Sequence, residues 1–172
     1  MEMTHYMQLL ADNQPWNLIL FMAIPVILAE TIAVTELYIL FTRKFTGLAK
    51  KVNSIASAIV GVYFIGVFFY LFSNAVIPIT QGGEWRGIAD VIAVGFYLLG
   101  VVPLAGLALI EFGILKRAGT PEEKLRLHAT FVAIFLVVAH IAMIFGMLNP
   151  TKLGWTPPET THMPMVMETV SK

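Results

Sequence analysis

Five side chains able to handle protons or bind metals lie inside apolar sequence: Glu30, Glu36, Glu111, His128 and His140. Glu30 and Glu36 share the stretch ILAETIAVTELYIL, from Ile27 to Leu40. A carboxylate at the centre of a membrane-spanning helix carries a penalty of roughly 2.5–3.5 kcal/mol on insertion scales. Two on one segment must therefore face protein, pair with something, or be protonated. Three chemistries use such groups. Carboxylates and imidazoles stacked through a membrane form proton relays or proton-coupled transport paths. A Glu/Glu/His set suits a divalent cation, which helical bundles hold with inward side chains. An imidazole in a bundle also suits haem b as an axial ligand, here His140 or His128.

The elements that must position these groups are membrane helices. Of the 172 residues, 58% are hydrophobic and 13% charged, against about 25% charged in a soluble domain. Four apolar runs, about 16–42, 54–79, 88–115 and 121–148, are each long enough to cross a bilayer as a helix. The expected fold is an all-α polytopic bundle of four transmembrane helices. It forms one domain over residues 1–150, followed by an extracytoplasmic tail, 151–172. The first run starts late and has no basic segment before it, unlike a signal peptide. With no cysteine, disulfides, thiolate metal sites and iron–sulfur clusters are excluded. Pro25, one turn before Glu30, is expected to kink span 1 or free a carbonyl. Thr120, Pro121 and Glu123 give a capping-box start for span 4. Glycines in span 3 (Gly95, Gly100, Gly106, Gly113) point to close helix approach.

Orientation follows from the basic residues. The connections after spans 1 and 3 hold eight of the eleven Lys and Arg. The positive-inside rule puts both connections in the cytoplasm and both termini outside. A parallel repeat of spans 1–2 and 3–4 is also legible, with Pro25 and Pro103 in the inward spans and similar ends, Glu36 before Arg43-Lys44 and Glu111 before Lys116-Arg117.

At ~1.5 Å per residue the polar residues sort into two depths. A mid-membrane tier holds Glu30 and His140, with Thr31, Thr35 and Met143 nearby. A cytoplasm-proximal tier holds Glu36, Glu111 and His128, with Tyr38. The bland alternative for the second tier is pairing with Arg43, Arg126 or Lys116 at the helix ends; for Asp90 it is a place at an interface near the start of its helix. Haem meets an obstacle. His128 and His140 share one helix and are about 18 Å apart along it, so iron would need His/Met ligation, for instance Met22 opposite His140, or a dimer.

Both tails are rich in methionine and histidine: Met3, His5 and Met7 at one end, His162, Met163, Met165 and Met167 at the other. Thioether and imidazole ligands suit copper, while Met3 and Met7 at helical spacing also suit an apolar face lying on the membrane.

Through QPWNLILFMAIPVILAETIAVTELYILFTR, the GGEWRG turn and LVVAHIAMIFGML, the chain resembles a group of short four-span bacterial inner-membrane proteins labelled permease-like. That resemblance implies a multi-pass protein of the bacterial inner membrane and transfers no catalytic residues. No nucleophile–base pair, phosphate loop or nucleotide fingerprint is present, so no enzyme is expected. The leading expectation is a permease-like protein moving or handling a small cation or protons, with a metal ion (copper or another divalent cation) as the possible cofactor. The alternatives are a haem b electron-transfer anchor and a non-catalytic accessory subunit of a larger membrane complex. The expected partners are the lipid bilayer and a second copy or a partner membrane subunit, and no nucleic acid.

Overall fold

Runs of Ile, Leu, Val, Ala and Phe with few breakers become four helices long and apolar enough to cross a membrane: Trp16–Thr42, Leu48–Gly82, Ile88–Glu111 and Pro121–Met147. The chain is an all-α, multi-pass membrane protein, here described by a computed structural model over residues 3–115 and 118–157. The tail residues His162, Met163, Met165 and Met167, and the loop residues Lys116 and Arg117, lie outside the described residues. Span 2 is longer at both ends than its apolar run. Its first turns (Leu48 to Asn53) are polar but contain no helix breaker, and its last segment continues past Pro78 to Gly82.

Two prolines are accommodated in the same way. A five-residue π turn, Ile19–Ala23, precedes Pro25, and another, Phe72–Val76, precedes Pro78. A proline ring clashes with the carbonyl one turn back and offers it no N–H, and a widened turn makes room for the ring. Near Pro25 the stranded carbonyls find hydroxyls: Tyr63 donates to Leu20 (2.7 Å) and Tyr97 to Phe21 (2.6 Å). Pro103 is handled differently. Span 3 breaks at Gly100, and Pro103 then sits in the first turn of a new helical segment, Val101–Glu111. The two prolines of the apparent repeat thus have different local structures.

Span 3 leans on two neighbours. Its first half, Ile88–Leu99, packs on span 4, and its second half lies against spans 2 and 4. The closest crossing is at Gly61, where an added Cβ would lie 2.5 Å from both the Leu104 carbonyl oxygen and the Ala108 Cβ. Gly106 is similarly confined by the Phe131 ring, whereas Gly95 and Gly113 face open space. Span 1 packs chiefly on span 2 and more slightly on span 4. Buried between the helices is an apolar layer that includes Ile32, Val60, Phe64, Leu104, Leu107 and Phe135.

The capping box of span 4 forms. Thr120 Oγ1 accepts from the Glu123 amide, and Glu123 accepts from the Thr120 amide. At the opposite end of the bundle a short helix, His5–Ala11, folds back over the helix ends with Tyr6 and Leu10 buried. Thr4 donates to the Gly146 carbonyl (2.6 Å), so the start of the chain and the end of span 4 share one face. Fully buried Asp90 holds this helix, accepting from the His5 amide (2.6 Å) and lying 2.5 Å from His5 Nδ1. Arg86, from the GGEWRG turn, completes the strap by donating to the Met3 carbonyl and to Gln8.

Candidate functional site

Two polar regions result, at the two depths the sequence indicates. The first is a buried network near the end of the bundle that carries the 1–2 and 3–4 connections. Helical periodicity puts Lys50, Asn53, Ser54 and Ser57 on one face of span 2, at i, i+3, i+4 and i+7. That face meets Glu36 of span 1, Glu111 of span 3 and His128 of span 4. Glu36 is 3% exposed and His128 2%. His128 Nδ1 lies 2.8 Å from Glu36 Oε2, and His128 Nε2 is 2.9 Å from Ser57 Oγ and 3.7 Å from Glu111 Oε1. Asn53 Nδ2 donates to Glu36 Oε2 (3.0 Å), Thr35 Oγ1 (3.0 Å) and the Ile32 carbonyl (3.2 Å). Glu111 accepts from Lys50 Nζ (3.0 Å) and from Ser54 Oγ.

The protons can be placed. Ser57 spends its single hydroxyl proton on the Asn53 carbonyl, at 2.7 Å. It can then only accept from His128, so Nε2 carries a hydrogen. His128 Nδ1 and Glu36 must also hold one proton between them as a pair, on one partner or the other, because two lone pairs at that distance repel. The pair is an imidazolium and a carboxylate, or an imidazole and a carboxylic acid, and is neutral in sum either way. Neutrality is what lets it stay buried, since a lone charge in low dielectric is far more expensive. The Nδ1–Oε2 separation is that of an ion pair, and Coulomb attraction, less directional than a hydrogen bond, acts there without an aligned hydrogen bond. Glu36 Oε1 and Asn53 Oδ1 are buried acceptors with no partner among the described residues. A crevice of about 430 Å³ reaches Glu36, Glu111, His128 and Lys50 from between Phe45–Thr46 and Gly119–Pro121.

The second region is the mid-membrane tier. Glu30 and His140 both line a cleft of about 460 Å³ between spans 1 and 4, together with Met22 and Met143. They share the cleft without an ion pair between them, and both are exposed on the surface of the single chain. His140 Nδ1 lies 2.6 Å from the Leu136 carbonyl and donates to it, so Nε2 is the free nitrogen.

These positions bear on each ligand set. Glu36 and Glu111 approach opposite nitrogens of the His128 ring, so the three do not converge on one point. Among the described residues no group of three or more His, Asp or Glu side chains is placed to hold a metal ion. Both His128 nitrogens face protein partners, which leaves neither free for a haem iron. His5 is tied to Asp90, Met7 packs into the outer apolar cluster, and Met3 is exposed. Among the described residues Glu111 pairs with a lysine, Lys50 at the start of span 2, and not with Arg43 or Arg126. Arg43 instead approaches exposed Glu122 at 3.8 Å. Tyr38 points away, half exposed.

The sequence reading missed Lys50, Asn53, Ser54, Ser57 and the His5–Asp90 anchor. The i, i+3, i+4, i+7 spacing on span 2 was the available signal, hidden because the set straddles the start of the apolar run at Ser54. Comparison with curated proteins and with solved structures gives no match. A family model described as a family of unknown function, DUF6803, matches residues 1–162, and the chain belongs to that family.

Proposed function

We propose that this protein is a permease-like membrane protein that moves protons, with Glu36, His128 and Glu111 as the carriers. The observation behind this reading is the placement of His128. It is buried within the bundle, one ring nitrogen lies beside each of two carboxylates, and a crevice leads to it from one end of the bundle. An imidazole takes a proton on one nitrogen and releases it from the other, the property a relay needs. Ser57 and Ser54 hold the ring and Glu111 in register, and Lys50 balances the second carboxylate. The basic connections flank the crevice, so by the positive-inside rule it opens to the cytoplasm and both chain ends lie outside, in a bacterial inner membrane. Beyond the network lies the apolar layer around Ile32, Val60 and Phe64. Protons must cross that layer by a rearrangement or along a path completed by a second copy or a partner subunit, since four spans enclose little space.

The test is proton flux into liposomes containing the purified protein, followed with an internal pH dye under an imposed potential. Glu36→Gln and His128→Asn should each lower flux at least tenfold. Flux equal to that of the unaltered protein in both variants would refute the assignment.

A further inference from the structure

We infer that the cleft between spans 1 and 4 is a binding site for a lipophilic organic cation. It lies apart from the buried network and involves none of its residues. The wall is apolar and strongly aromatic, with Phe21, Phe64, Phe96, Tyr97 and Phe135 among its residues. Aromatic faces carry negative potential and attract cations that have shed water. No lysine or arginine lines the cleft among the described residues.

Its polar groups have one bias. Glu30 presents a carboxylate that makes no ion pair among the described residues. His140 has its Nδ1 hydrogen committed to Leu136, so in the neutral ring Nε2 only accepts. The Tyr97 hydroxyl is spent on the Phe21 carbonyl. The Tyr6 hydroxyl, from the N-terminal helix, is able both to donate and to accept. An anion, or a ligand bearing carboxylates, would meet Glu30 with no cation to offset it. A ligand with positive charge and apolar substituents satisfies Glu30, His140 and the aromatic wall together. Such a partner would offset the insertion penalty of a midbilayer carboxylate exposed on the chain surface. The slight contact between spans 1 and 4 leaves the cleft open sideways, which suits a ligand arriving from the lipid.

The experiment uses the full chain in lipid nanodiscs, with tetraphenylphosphonium as the probe and tetraphenylborate as an anion of matched shape. Saturable binding of the phosphonium is expected, weakened at least tenfold by Glu30→Gln, largely kept by Glu30→Asp, and unaffected by Glu36→Gln. Tetraphenylborate should not compete. The inference is overturned by absence of saturable binding, by equal binding to the Glu30→Gln variant, or by equal competition from the anion. The anion arm uses the unaltered protein and so does not depend on a variant folding. Because Glu36→Gln tests proton movement and Glu30→Gln tests cation binding, either proposal can fail alone.

Discussion

The two Glu–His regions of this bundle use the same residue types in opposite ways. Glu36 and His128 are in contact, buried and surrounded by the donors and acceptors of span 2. Glu30 and His140 stand apart in an apolar cleft, each open on the surface of the chain. The difference teaches that depth alone does not make a pair. What separates the regions is the neighbouring helix. Span 2 offers Lys50, Asn53, Ser54 and Ser57 at the first depth, whereas spans 1 and 4 diverge at the second and present mostly aromatic and aliphatic groups.

The largest effect should come from breaking the buried pair. Truncation as His128→Ala leaves Glu36 buried without its partner, and breaking a buried pair in this way typically costs about 3–5 kcal/mol. Glu30→Gln removes a carboxylate that makes no ion pair among the described residues, so no loss of stability is expected. Thermal unfolding in detergent, run on both variants, measures the contrast; equal losses would erase the distinction between the regions.

A smaller effect sharpens the role of span 2. Gly61→Ala pushes a methyl group against Leu104 and Ala108 and should cost about 1–3 kcal/mol by overpacking. The same substitution at Gly66, where a Cβ meets nothing, should be neutral or raise stability by up to about 1 kcal/mol through helix propensity. Comparing the two melting curves separates close approach from glycine flexibility. If both variants behave alike, the span 2–3 crossing is not the constraint that brings Ser54 to Glu111.

On the cleft side, Tyr97→Phe removes the hydroxyl that serves the Phe21 carbonyl, with an expected loss of about 1 kcal/mol. Hydrogen exchange should speed up in the turn preceding Pro25, and unchanged protection there would show that the carbonyl finds another donor. Smallest of all, Glu122→Gln should leave stability within about 0.5 kcal/mol, because the Arg43–Glu122 contact is long and exposed. A larger loss would mean that the loop end of the bundle is more tightly organised than its exposed pairs indicate.

Much of this was legible from one dimension. Composition and run length predict four helices, and Thr120-Pro121-x-Glu123 predicts the start of the last one, because a capping box is a local device. Depth along each helix predicts that Glu36, Glu111 and His128 share one level, as a fixed rise per residue makes it calculable. The N-terminal helix was read as a tail because His5–Ala11 is too short to signal itself. It is held by Asp90 and Arg86, more than seventy residues away in sequence. Asn53 and Ser57 escaped notice because hydropathy marks where apolar residues start, not which polar ones are buried beside them.

By itself, the sequence determined the number of long apolar helices and the position of each ionisable residue along its helix, since these depend on local composition and on helix rise. Only the tertiary structure decided which residues meet. Rotation about each helix axis, the π turn before Pro25, the break at Gly100 and the close crossing at Gly61 set which faces oppose each other. Those are properties of several helices packed together. They leave Glu36 sealed against His128 and Glu30 open to the cleft, although both glutamates belong to one helix.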